Sequence, residues 1–177
     1  MMDNFKEDIV VSRNQTLPSI LYVICWIFLV IFGLYALLML QVLFVAFDVL
    51  TLLMTVLSAG AALALFFIKD NLKVEYEYTF TNGSLDFAKV MRGAKRKELG
   101  SMNVANVAAC GHVAHDSFRR FLSMPGVQKK NWFLNRDGNL FYFYYKKDDK
   151  NHMIIIEPSE EMVGMIRNYL AAGVYQG

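Results

Sequence analysis

The chain has 177 residues, 55% of them hydrophobic, and 18 Lys and Arg against 16 Asp and Glu, a formal charge of +2. So small a net charge argues against nucleic-acid binding through a strong positive field, and two cysteines leave no room for a disulfide framework. The apolar residues are concentrated: from Leu17 to Ile68 the only charged side chain is Asp48, which excludes an ordinary soluble globular domain.

In chain order, residues 1–16 form a leader with three acids (Asp3, Glu7, Asp8) and two bases (Lys6, Arg13). A signal peptide begins with a basic segment and has an apolar core of about 7–15 residues, so this leader and its long apolar run do not read as one. The apolar block has room for two helices of about 20 residues each. We place them at 17–40 and 49–68, with a short reversal from Gln41 to Asp48. A carboxylate deep in lipid is costly, whereas Asp48 at a reversal meets water. Ser58, Gly60 and Ala59, Ala61, Ala62 and Ala64 give the second span a small-residue surface. Such surfaces let helices approach closely, within the hairpin or between copies. Lys6 and Arg13 precede the spans, Lys69 and Lys73 follow them, and the reversal has no base. The positive-inside rule therefore predicts a two-span protein of the cell membrane with both termini in the cytoplasm.

Residues 69–177 carry 16 Lys and Arg and 12 Asp and Glu, enough chain for one small domain. Val74, Tyr76, Tyr78 and Phe80 alternate with Glu75, Glu77 and Thr79, the period of a strand with one buried face. Asn82-Gly83 predicts a tight hairpin turn, after which Leu85, Phe87 and Lys89 share one face. Further strands are expected at 96–102, 130–134, 140–147 and 152–158, with a turn at Gly93. Residues 103–110 fit either a strand or a short helix, and 116–122 a short helix. Leu140 to Tyr145, LFYFYY, should span a core and a covered face by alternation. After Pro158, Ser159 caps a helix whose Met162, Met165, Ile166, Tyr169 and Leu170 form one apolar stripe. The sum is an α+β membrane protein: a two-helix hairpin, then a mostly antiparallel β domain of six or seven strands closed by a C-terminal helix.

That layout resembles bacterial membrane proteins with a PH-like domain. More closely, it looks like a family of uncharacterised Firmicutes membrane proteins with two transmembrane helices. The leader MMDNFKEDIVVSRNQT, the paired spans and VEYEYTFTNGSLDFAKVMRGAKRKELGSM at 74–102 carry the resemblance. It implies a half-open barrel, or two nearly orthogonal sheets, capped by the last helix. It brings no active site. PH-type domains elsewhere include lipid binders and protein binders.

One set of side chains has spacing suited to chemistry. Cys110, His112 and His115 have a spacing that could offer two or three ligands to zinc, or a thiol–imidazole pair, beside Asp116. No further Cys follows in the soluble part, and polar loop residues beside a buried Cys explain the set better. No glycine-rich phosphate loop occurs, so no nucleotide or other cofactor is expected. NRDGN at 135–139 lacks the repeated oxygens and distal Glu of a calcium loop and reads as a β-turn. Lys69, Lys73, Arg92, Lys95, Arg96 and Lys97 are the candidates for contact with anionic lipid or a partner. Arg119 with Arg120, and Lys129 with Lys130, are further basic pairs open to a protein partner.

The reading that follows is a membrane-anchored cytoplasmic binding or scaffold module, not an enzyme, that organises a membrane complex or contacts anionic lipid. Its rivals are an accessory subunit of a transporter or assembly machine, and a metal-dependent or thiol enzyme centred on Cys110, His112 and His115. Membrane lipids, a membrane-protein partner or a second copy joined through the second span are the expected partners, and nucleic acid is not.

Overall fold

The structure, a computed structural model, describes residues 4–91 and 95–177 and divides into two compact units, residues 14–74 and residues 1–13 with 75–177. Arg92 and the Gly93 turn lie outside the described residues.

In the first unit, α1 (Thr16–Val45) and α2 (Val49–Ile68) pack against each other. Both are long and apolar enough to cross a membrane. No residue of α1 is buried and only Ser58 of α2 is. Helices apolar all round yet exposed belong in lipid, where no solvated face is required. α1 runs five residues beyond the expected end at Leu40, because Gln41 to Val45 contains no Gly, Pro or charge to stop it. The turn comes at Asp48, whose carboxylate accepts from the Leu50 and Thr51 amides at 3.1 Å each. That N-cap satisfies two of the amides a helix start leaves unpaired. Ser58 Oγ donates to the Met54 and Thr55 carbonyls at 2.7 and 3.0 Å, which keeps its hydroxyl satisfied within the small-residue surface.

The second unit has two four-stranded sheets. The first runs β1-β2-β3-β4: β1 (Phe5–Val11), β2 (Val74–Thr81), β3 (Ser84–Met91) and β4 (Lys95–Asn103). β1 pairs antiparallel with β2 from Phe5 opposite Thr81 to Val11 opposite Glu75. Residues expected to form a separate leader are thus the first strand of the domain, and the apolar hairpin interrupts the β1–β2 connection. The reason is visible in FKEDIVV, where Val10 lies in the core while Lys6 and Asp8, on the same face, reach the last helix. Asn82 (φ 48°) and Gly83 (φ 91°) make the tight turn expected between β2 and β3. In β4 one extra residue, Leu99, stands between Gly100 opposite Phe87 and Glu98 opposite Ala88. Gly100, at φ 148°, serves this bulge.

The second sheet runs β5-β7-β8-β6: β5 (Ala109–His112), β6 (Gln128–Trp132), β7 (Phe141–Lys147) and β8 (Lys150–Ile156). β6 is parallel to β8, whereas β5 and β8 are antiparallel to β7. The ambiguous segment 103–110 divides between a 3₁₀ turn at Val104–Asn106 and β5. Alternation in β7 sends Phe141 and Phe143 into one cluster and Tyr142 and Tyr144 into another. The first cluster is the core between the sheets, and it includes Tyr78, Phe80, Leu85, Phe87, Trp132 and Ile156. The second covers the outer face of the second sheet beneath α3 (Asp116–Leu122), through Phe118, Phe121 and Leu122.

α4 (Glu160–Arg167) closes the core with Met162, Val163 and Ile166. Ser159 Oγ caps it by accepting from the Met162 amide at 3.2 Å. Asp8 in turn accepts from the Ser159 amide at 2.7 Å and its hydroxyl at 3.0 Å, and Lys6 pairs with Glu161. Asn135 ties the other end of β1: it accepts from the Arg13 amide at 2.8 Å and donates to the Val11 carbonyl at 3.0 Å. Its own amide donates to Glu157 at 3.1 Å. The NRDGN segment is therefore a structural turn, with Gly138 bonded back to the Asn135 carbonyl at 3.2 Å.

Candidate functional site

The basic residues singled out from sequence separate in the structure. Lys69 follows α2 and is buried, with 4% of its surface exposed. Its Nζ bonds Asp70 at 2.9 Å and stands 4.3 Å from the Phe66 ring centroid and 5.7 Å from that of Trp26. Lys73 Nζ is 5.8 Å from the Tyr22 ring centroid. Aromatic rings with ammonium groups at one end of a helix pair match the belt found where lipid meets water. The 20 residues from Trp26 to Val45 then match the 20 of α2, each about 30 Å long. Lys69 is thus a structural anchor of the hairpin, not a free headgroup ligand.

The run Lys95-Arg96-Lys97 is split by strand alternation. Arg96 stands opposite Val90 on the outer face of the first sheet and its Nε pairs with Glu77 at 3.2 Å. Lys97 stands opposite Lys89, and Lys95 opposite Met91, on the face that carries Leu85 and Phe87 into the core. Like charges directly opposite in a sheet repel. Neither Lys89 nor Lys97 has an ion pair among the described residues. β4 and β6 are sheet edges, where lysines discourage pairing with other strands. That explanation covers Lys95 and Lys97 but not Lys89, which lies on an inner strand. Lys89 was the residue missed as a site candidate. Its face was readable from the alternation of SLDFAKVM, but its partner needed the β3–β4 register.

Tertiary structure also places further basic residues on one side of the second sheet. Lys129 stands opposite Met153 on the outer face of the second sheet, the face covered by α3. Arg119 and Arg120 are exposed on α3 itself. Lys130 points the other way and lies over the Trp132 ring at 5.3 Å.

Cys110, His112 and His115 do not form one constellation. Cys110 is fully buried in the core between the sheets. Burial pushes its thiol up to about 12, the reverse of what a nucleophile or metal ligand needs. His112 shares its face but bonds Asn139 through Nδ1 at 2.8 Å and lies edge-on to Phe141. His115 caps α3 on the opposite side of the sheet, accepting from the Ser117 amide at 3.3 Å, and Ser117 bonds the Tyr142 hydroxyl at 2.9 Å. Among the described residues no group of three His, Cys, Asp or Glu is placed to hold a metal ion. Gly111 between them has no room for a side chain, since a Cβ there would overlap the Gln176 carbonyl of the C-terminal segment alongside β5.

Cys110 is expected to resist alkylation at pH 8 in the folded protein and to react once the chain is unfolded, as mass spectrometry of labelled peptides would read. The raised pKa also has a stability consequence. The folded state holds the proton above the ordinary thiol value of 9. The stability due to the buried thiol is therefore complete below pH 9 and is lost as pH rises towards about 12.

A family model described as bacterial PH-like domain (DUF6106) matches residues 2–176. The chain belongs to that family. The match begins in the leader and runs through the hairpin to the C-terminal segment, so the interrupted arrangement of β1, two apolar helices and β2–β8 falls wholly within this PH-like family. Nothing among curated proteins or solved structures matches the chain.

Proposed function

We propose that this PH-like protein is a membrane-anchored binding or scaffold module. Its domain lies in the cytoplasm, where it contacts anionic lipid or an acidic part of a membrane complex. The observation that carries the reading is the Lys89–Lys97 pair, two like charges held opposite each other without a carboxylate partner. An anion between them relieves their repulsion, and a nearby bilayer supplies anions at high density. Lys6, Arg13, Lys69 and Lys73 beside the apolar block, with no base at the reversal, favour the cytoplasmic side for both termini. A binding role is favoured over catalysis because the Cys110 thiol is buried and the two histidines serve other contacts.

The test uses the domain with the hairpin replaced by a turn, since both hydrophobic clusters lie entirely outside residues 14–74. It is expected to float with vesicles containing anionic lipid and not with neutral ones, and to be released by salt. Each near-surface base is worth about 1 kcal/mol, so reversing Lys89 and Lys97 to Glu should weaken flotation by more than about tenfold. Equal behaviour with both vesicle types would exclude lipid. Crosslinking of the full chain in native membranes would then decide whether a protein partner exists.

A further inference from the structure

The two sides of the domain differ in net charge: the outer face of the first sheet is acidic apart from Arg96, which pairs with Glu77, and α3 with β6 is basic apart from Asp116. On the outer face of the first sheet, Glu7, Glu75, Asp86 and Glu98 have no ion pair among the described residues. The same face exposes Phe5, Ile9 and Val11 along β1, at 56%, 58% and 41% of their surface. Across the core and the second sheet, α3 and β6 present Arg119, Arg120 and Lys129, likewise without ion pairs among the described residues. Charge complementarity of this kind steers association and fixes its orientation. Apolar side chains amid acids supply the contact area that charge alone does not.

We propose that the α3–β6 surface of one copy docks on the outer face of the first sheet of a second copy. The two surfaces lie on opposite sides of one sandwich, so the contact is heterologous and propagates as an open head-to-tail chain instead of closing into a two-fold dimer. Anchoring in a bilayer favours such a contact by holding copies at high local concentration. This inference does not depend on lipid binding at Lys89 and Lys97.

The experiment uses the full chain in vesicles of zwitterionic lipid, with Cys25→Ser to remove the hairpin thiol. Ser101→Cys marks the acidic face, since Ser101 stands opposite Asp86. Ser123→Cys marks the C-terminal end of α3. The expected result on mild oxidation is a ladder of disulfide-linked oligomers from the chain bearing both cysteines. An equimolar mixture of the two single variants should give one dimer band, and either single variant alone only monomer. The ladder should disappear in 1 M salt, where the screening length falls to about 3 Å, and in the variant Arg119→Glu, Arg120→Glu, Lys129→Glu. Monomer from the double-cysteine chain overturns the proposal. So does efficient dimerisation of one single variant alone, which marks a two-fold contact, or a ladder indifferent to salt and charge reversal. A fourth outcome, no ladder in zwitterionic vesicles and protection of α3 amides only when anionic lipid is added, also overturns it and gives the basic surface to lipid.

Discussion

A chain in which a short turn replaces residues 14–73 is expected to fold as a soluble domain that unfolds cooperatively, whereas a fragment starting at Lys69 is expected to lose most of its stability. The ends of the excision are adjacent, because Val11 and Glu75 are paired across β1 and β2. Every residue of both hydrophobic clusters remains. The fragment looks like the complete soluble part by composition, yet it lacks β1. It loses the burial of Val10, the β1–β2 ladder, and the Asp8 and Lys6 contacts that hold the start of α4. Burying Val10 is worth roughly 1.5–3 kcal/mol and each ladder hydrogen bond about 1 kcal/mol, so the loss is on the order of 5 kcal/mol. Domains are stable by about 5–15 kcal/mol, which leaves the fragment near its unfolding midpoint. Urea titration followed by Trp132 fluorescence measures both, since the chain's other tryptophan, Trp26, is absent from each. Equal midpoints for the two would show that β1 is not part of the folded unit.

The second large effect is expected at Phe141. It is fully buried, with ring centroids of Phe143 at 5.2 Å, His112 at 5.4 Å and Tyr175 at 6.3 Å. Phe141→Ala removes its transfer energy and leaves a cavity whose walls are sheet backbone and other rings, which collapse poorly. The cost is about 3–5 kcal/mol, a fall in Tm of roughly 15 °C for a domain of this size. In the same hairpin-excised background Lys97→Ala, at an exposed edge position, should change stability by no more than about 0.5 kcal/mol. Calorimetry of the two variants separates a core position on β7 from a surface position on β4. A Phe141 variant as stable as the Lys97 variant would refute the placement of the core.

The sites divided differently from the fold. Alternation in LFYFYY was enough to place two aromatic pairs on opposite faces, and both faces are covered. The KRK run was legible as charge but not as a site. Alternation sends Arg96 to Glu77 and leaves Lys95 and Lys97 on the other face, and the opposition of Lys97 to Lys89 depends on a register displaced by the bulge at Leu99. Cys110, His112 and His115 looked like a cluster because sequence spacing says nothing about which side of a sheet a residue takes after a turn. His115 follows β5 and belongs to the α3 cap, so it faces away from the thiol.

By itself the sequence determined that the chain has two apolar helices with a reversal at Asp48, a strand-rich remainder and a capped last helix. Those features depend on local period, chain length in lipid and turn chemistry, all written within a few neighbouring residues. Only the tertiary structure decided that the leader is β1, that the hairpin interrupts a sheet, and that Arg119, Arg120 and Lys129 lie on the same side of the second sheet. These depend on pairings as distant as that of Phe5 with Thr81. A strand such as FKEDIVV does not name its partner, because any strand edge offers the same backbone groups; the core that Val10 joins makes the choice.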